Sequence, residues 1–199
     1  MALQAQINPH FLYNTLDTLF WMADEKEETE ICEMVQALSE LLRYSIGKKN
    51  VNAKIGDEIN NIRNYVYLQK MRFENLFCVE YDVSTEIYKY STFKLILQPF
   101  VENSIVHGFC DRTEGGIIQI KGILERGRII FEINDNGCGI SEERIDFIMS
   151  NKNDHIGVSN IYGRIQYLYG AEYGISVSST PGHGTSVRIE IPAIEFDKE

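Results

Sequence analysis

Four short segments combine polar side chains with glycine. The first is DNGCGI, residues 135–140, directly after the run RIIFEIN. A carboxylate at a strand end, Asp135, can accept a hydrogen bond from an exocyclic amine. Gly137 and Gly139 let backbone pass close to a flat ligand and take positive φ. The second segment is LILQPFVENSIVHG, residues 95–108. As a helix it turns Leu95, Phe100, Val101 and Ile105 towards a core and leaves Asn103 and His107 one turn apart on a common face. The neutral carbonyl oxygen of Asn103 suits a Mg²⁺ that already carries phosphate charge. The third is HIGVSNIYGRI, residues 155–165, where Gly157 precedes a helix start near Ser159. Amides at a helix N-terminus bind phosphate, and Arg164 adds a cation. The fourth, TPGHGTSVRIEIP at 180–192, is a tight Gly182/Gly184 turn opening a last strand. Taken alone, each segment also reads as an ordinary turn or a solvated polar residue.

The rest of the chain must position these segments. Residues 2–23 carry Leu12, Thr15, Leu16, Leu19 and Phe20 at helical spacing. On the same wheel His10 falls on the opposite face with Gln6, Asn14 and Asp17, and Pro9 starts or kinks the helix. A second amphipathic helix carries Ile31, Met34, Val35, Leu38, Leu41, Leu42 and Ile46 and ends at Gly47. The pair forms an antiparallel hairpin that cannot cover its own apolar faces, so it should join a second copy in a four-helix bundle. A third helix is expected at about 57–75, with Ile59, Ile62, Val66, Gln69 and Phe73 on one face. Alternation then indicates a strand from Phe77 to Val83. A helix over 93–109, strands at 117–124 and 128–134, helices near 142–149 and 159–169, and strands at 174–179 and 185–191 complete an α+β order. One mixed sheet with helices on one face follows.

Composition narrows the function. The 199 residues carry a formal net charge of −10, which repels nucleic-acid phosphates and anionic membrane surfaces. The four cysteines show neither C-x-x-C pairing nor zinc-ligand spacing and read as free thiols. No run approaches the roughly 20 apolar residues of a membrane span. The chain begins without a signal peptide and with a helical pattern already running, as expected of a piece of a longer protein.

The order and spacing of the four segments are more specific than any one of them. Together they resemble the ATP-binding fold shared by histidine kinases, gyrase, mismatch-repair ATPases and heat-shock chaperone ATPases, over nearly all of residues 51–192. LQAQINPHFLYNTL at 3–16, LLRYSI at 41–46 and IRNYVYLQKMRF at 62–73 resemble the sensor histidine kinases that are similar to the LytS and YesM proteins. The resemblance therefore covers the whole chain. It implies a helical dimerisation and phosphotransfer unit at 1–50 and an α/β sandwich that binds ATP at 51–199. It implies that His10 is phosphorylated, that Asn103 is a Mg²⁺ ligand and that Asp135 binds the adenine amine. Gly137, Gly139, Gly157, Gly182 and Gly184 shape the pocket and its lid, with His107, Asn160, Arg164 and Thr185 as further nucleotide contacts. The implied cofactors are ATP and Mg²⁺. The implied partners are a second copy and the receiver domain of a response regulator, whose aspartate accepts the phosphoryl group. Membrane attachment is implied only through upstream segments, so the chain is expected to be the cytoplasmic portion of a membrane-anchored protein.

Three positions depart from the family pattern. His155 stands where the second glycine box usually begins with glycine, and its β-carbon restricts the lid backbone. Val106 replaces a common lysine near the phosphates. Phe11, rather than an acidic residue, follows His10, so the general base is open. Glu102, beside Asn103, is a candidate, and Asn14 is a candidate to hold a water for the reverse phosphatase step. Against an ATP hydrolase of the gyrase or chaperone kind stands Pro99, which occupies the position of the water-activating glutamate. An ATP-dependent autokinase and a catalytically weak nucleotide-binding module that signals through dimer contacts remain as the competing readings.

Overall fold

The computed structural model describes residues 9–46, 52–110, 112–150 and 157–197. Helices α1 (Pro9–Asp24) and α2 (Thr29–Ile46) form the expected hairpin, with proline opening α1. Residues 1–8 and 47–51, and with them the unit boundary expected at 50/51, lie outside the described residues. A short strand β1 (Asn52–Lys54) leads into α3 (Ile55–Arg72), then β2 (Phe77–Val83). A helical turn over Thr85–Lys89 precedes β3 (Ser91–Phe93), which pairs antiparallel with β1. Next come α4 (Gln98–Asn103), β4 (Gly116–Glu125), β5 (Arg128–Asp135), α5 (Glu142–Ser150), α6 (Val158–Tyr169), β6 (Gly174–Thr180) and β7 (Gly184–Pro192).

The sheet runs in the order β2-β4-β5-β7-β6, with β2–β4 parallel and the other pairs antiparallel. Alternation puts Ile118 and Ile120, Ile129, Phe131 and Ile133, and Ile189 and Ile191 on the inner face. They pack with Ile59 and Ile62 of α3, Phe100 and Val101 of α4 and Ile165 of α6 in one core. The outer face is polar: Arg188 bridges Glu132 at 2.7 Å and Glu190 at 2.9 Å, and Arg128 reaches Glu190 at 3.3 Å. The fold is thus the mixed helix-and-sheet arrangement the sequence led us to expect.

Where one mixed sheet was expected, β1 and β3 form a second, two-stranded sheet, and one expected helix is shortened by it. The helix expected over 93–109 begins only at Gln98. Residues 91–93 are held in β3 by pairing with β1. Leu95 then takes φ +63, a left-handed conformation that costs a side-chain-bearing residue about 1–2 kcal/mol. The loss of local preference is offset from α3: the buried Glu58 carboxylate accepts from Leu95 N–H at 2.9 Å and Leu97 N–H at 3.0 Å. Pro99 in the first turn needs no donor. Past Asn103 the helix widens into a π turn over Ser104–Gly108, closed by Phe109 N–H to Ser104 C=O at 3.1 Å. Such widened turns bring an extra residue to one face and are frequent at functional sites.

Candidate functional site

The π turn aims Ser104, His107 and Gly108 at the end of β5. The Ser104 hydroxyl donates to Asp135 Oδ2 at 2.8 Å. Asp135 Oδ1 accepts from Gly137 N–H at 2.9 Å and from Thr185 N–H at 3.2 Å. The carboxylate is therefore fixed from three segments far apart in sequence. Ser104 is itself 5% exposed, so its hydroxyl is committed to this bond and to Phe100 C=O.

The loops around Asp135 are joined backbone to backbone. Cys138 N–H donates to Gly108 C=O at 2.8 Å, and Gly182 N–H donates to Cys138 C=O at 2.7 Å. Ile140 N–H donates to Ser179 Oγ at 2.9 Å, which in turn donates to Gly184 C=O at 2.7 Å. Two glycines are required for this closeness. Gly139, at φ +65, would drive a β-carbon into Thr180 C=O, and Gly184, at φ +92, would drive one into Asp135 C=O. These glycines let three loops touch one another, a role distinct from making room for a flat ligand.

Together the loops enclose a cavity of about 520 Å³. Phe100, Ile140, Ile145, Val158, Val177 and Val187 supply apolar wall. Asn103, His107, Asp135, Thr185 and Arg144 supply the polar groups, and Gly139 and Gly157 line it as well. Size, apolar walls and a few convergent polar groups suit a small organic ligand. A carboxylate at the base can take an exocyclic amine, and the exposed amide of Asn103 offers an oxygen to a cation.

Several sequence-chosen residues sit elsewhere. Gly137 packs against Asp135 and Gly108 just behind the wall, and Gly182 and Gly184 support it from the turn. Asn160 and Glu102 are exposed and do not line the cavity. Glu102 lies near Tyr65, whose pKa is pushed up to about 12 by burial and, second, by that carboxylate. Arg164 does not reach the cavity: its guanidinium lies 4.3 Å over the Phe93 ring. Among the described residues, the Lys or Arg that lines the cavity is Arg144, which the sequence reading missed, as it missed Ser104. His155 lies outside the described residues. Val106, at the position where the resembling family commonly has lysine, is exposed.

His10 is exposed on α1, and its Nδ1 is 3.2 Å from Asn14 Nδ2. Neither His10 nor any other α1 residue lines the cavity. The exposed side of the hairpin carries Phe11, Leu19 and Met22 from α1 and Ile31 and Leu38 from α2. No described helix is long and apolar enough to cross a membrane.

Comparisons with known proteins agree with this arrangement. Residues 1–77 match the family described as histidine kinase, and residues 89–195 match the histidine kinase-, DNA gyrase B- and HSP90-like ATPase family. The chain belongs to the sensor histidine kinases, whose nucleotide-binding part is this ATPase-type domain. It is 36% identical over 191 residues to the sensor histidine kinase YesM of Bacillus subtilis, covering 96% of this chain and 33% of that protein. It is 29% identical over 196 residues to the sensor protein kinase HptS of Staphylococcus aureus, covering 96% and 37%. The chain thus spans about a third of the length of these relatives. Among solved structures, the histidine kinase domain of the Erythrobacter litoralis EL346 blue-light activated histidine kinase superposes with TM-score 0.55 at 17% identity, over 93% of this chain and 94% of that one. The catalytic domain of histidine kinase ThkA gives 0.54 at 18% identity, over 72% and 95%. At such identities the two structures establish the fold.

Proposed function

We propose that this chain is the catalytic portion of a sensor histidine kinase that autophosphorylates on His10 and passes the phosphoryl group to an aspartate of a response regulator receiver domain. The observation that carries the reading is one chain holding both halves of the reaction: a nucleotide-sized cavity with Asp135 fixed at its base, and an exposed histidine on a helical hairpin. The cavity fits ATP, with Asp135 accepting the adenine amine between apolar walls. Asn103 Oδ1 would hold Mg²⁺, and His107 and Arg144, which line the same cavity, would meet the phosphates. When bound, Mg·ATP supplies the phosphoryl group and neutralises its developing charge. The chain's part is positioning. Asn14 orients the imidazole. With the Asn14 amide turned so that Oδ1 accepts from Nδ1–H, the tautomer so fixed makes Nε2 the nitrogen that attacks.

The exposed apolar side of the hairpin supports a homodimer, with 1–50 as the dimerisation and phosphotransfer unit and 51–199 as the catalytic unit. Because the cavity contains no α1 residue, transfer needs either a hinge movement or the partner's cavity. The length of the relatives supports a longer parent, and kinship with sensor kinases supports a membrane-anchored one of which this is the cytoplasmic portion.

Incubation with γ-labelled ATP and Mg²⁺ tests the reading. The expected result is acid-labile, base-stable label that is absent from His10→Gln, with nucleotide affinity in that variant within twofold of the wild type. A second reading, a nucleotide-binding signalling module with weak catalysis, draws on the position of Arg164 and on Val106, which leave fewer cations near the phosphates. Nucleotide binding without label transfer selects it.

A further inference from the structure

Glu58 is fully buried, one of four buried polar or charged side chains among the described residues. A carboxylate removed from water needs strong compensating donors. Its donors come from α2 and from the chain at the start of α4. The Tyr44 hydroxyl of α2 donates to Oε2 at 2.5 Å, Leu95 N–H donates to Oε2 at 2.9 Å, and Leu97 N–H donates to Oε1 at 3.0 Å. Burial pushes the Glu58 pKa up, while the Tyr44 hydroxyl and the amides of Leu97, Leu95 and Gln98 hold it down. Lys94 closes the same joint from the other side, its Nζ 5.1 Å over the Tyr44 ring.

Two features make this joint more than packing. First, it reaches the start of α4, the helix that carries Asn103 six residues after Leu97. Second, it grips the hairpin at the level of His10. Tyr13 OH donates to Leu42 C=O at 3.4 Å, and Arg43 sits 5.5 Å over the Tyr13 ring, so the first turn of α1 lies beside the last turns of α2. Two other bonds join α2 to α3, Tyr67 OH to Glu33 at 2.9 Å and Asn64 Nδ2 to Glu40 at 2.6 Å. Both are exposed, and neither partner on α3 continues to α4.

We propose that Tyr44 and Glu58 are positioning residues that tie the His10 end of the hairpin to the start of the Asn103 helix, so that hairpin pose and nucleotide site are coupled. The consequence for phosphotransfer rests on the kinase reading above; the tie itself does not. Coupling of this kind is reciprocal: what stiffens α4 steadies the hairpin, and what displaces α2 loosens α4.

Tyr44→Phe keeps the ring and removes the hydroxyl. Amide hydrogen exchange then reads the tie in the full chain. In Tyr44→Phe, exchange over 95–98 and 41–46 speeds about tenfold, as expected for loss of one hydrogen bond to a charged group, while β5 stays as protected as in the wild type. In the wild type, a non-hydrolysable Mg·ATP analogue protects both 135–140 and 41–46; in Tyr44→Phe it protects only 135–140. The labelling rate at saturating ATP falls about tenfold with KM for ATP within twofold. Glu58→Gln, which can still accept from Leu97 and donate to the Tyr44 oxygen, falls between the two. Unchanged exchange at 95–98 in Tyr44→Phe overturns the proposal, as does analogue protection of 135–140 without 41–46 in the wild type. If the analogue protects neither segment, the nucleotide reading fails, and exchange at 95–98 without nucleotide still decides the tie.

Discussion

Phe93, Phe109 and Phe131 in the sheet-bearing body are each 1% exposed or less, whereas Phe11, Trp21 and Met22 in the hairpin are 67%, 63% and 54% exposed. Both regions are built from similarly apolar sequence. The body closes a core between one sheet face and three helices, while the hairpin buries only Leu16, Ala23 and Ala37. A part that is complete within one chain and a part that is not should respond differently to damage. The body should have a stability of its own, and the hairpin should have one that depends on what it packs against.

The largest expected effect separates them. Phe131→Ala should cost about 3–5 kcal/mol in urea unfolding, because it empties a fully buried ring site. Leu38→Ala should cost under about 1 kcal/mol at low micromolar protein, since Leu38 is 39% exposed in one chain, and more as concentration rises and a dimer covers it. A concentration-independent Leu38 effect as large as that of Phe131 breaks the comparison. A smaller effect lies at the site. Ser104→Ala removes one donor to Asp135 and should weaken Mg·ATP binding about 2–10-fold by calorimetry, the worth of one net hydrogen bond. Wild-type affinity in that variant means that the two backbone amides alone fix the carboxylate. The smallest effect is on the outer sheet face. Arg188, then Arg128, lower the Glu190 pKa. A lowered carboxylate gives stability above its ordinary pKa, about 4.3, and loses it as pH falls through the folded value. Glu190→Gln should therefore cost under about 1 kcal/mol at pH 7 and nothing once the pH is below that folded value.

Much of this was legible in sequence. The strand over 77–83 announced itself by alternation, strands were expected at 117–124, 128–134, 174–179 and 185–191, and the hairpin showed in its spacing of leucines and isoleucines. Asn103, His107, Asp135, Gly139, Gly157 and Thr185 do line one cavity. What escaped was decided by distant partners. The start of α4 depends on β1 pairing and on Glu58, neither of which a local helix wheel can see. Glu58 itself reads as a solvent-facing acid in the first turn of α3, a common place for one. Arg164 stands in the segment expected to meet phosphate and offers a cation there, yet its guanidinium lies over the Phe93 ring. Arg144 was invisible because nothing local marks it; only the fold brings α5 over Asp135.

The sheet order carries a consequence for the making of the protein. β7 is the last strand in the chain, yet it lies between β5 and β6, and its Thr185 amide completes the hold on Asp135. During synthesis every earlier strand emerges before the one that joins β5 to β6. Until residues 184–192 arrive, β5 stands as an open edge rich in isoleucine, a state prone to wrong pairing. The nucleotide site is therefore among the last features of the domain to form, and a nascent chain stopped short of Gly184 should have neither the central strand nor the site.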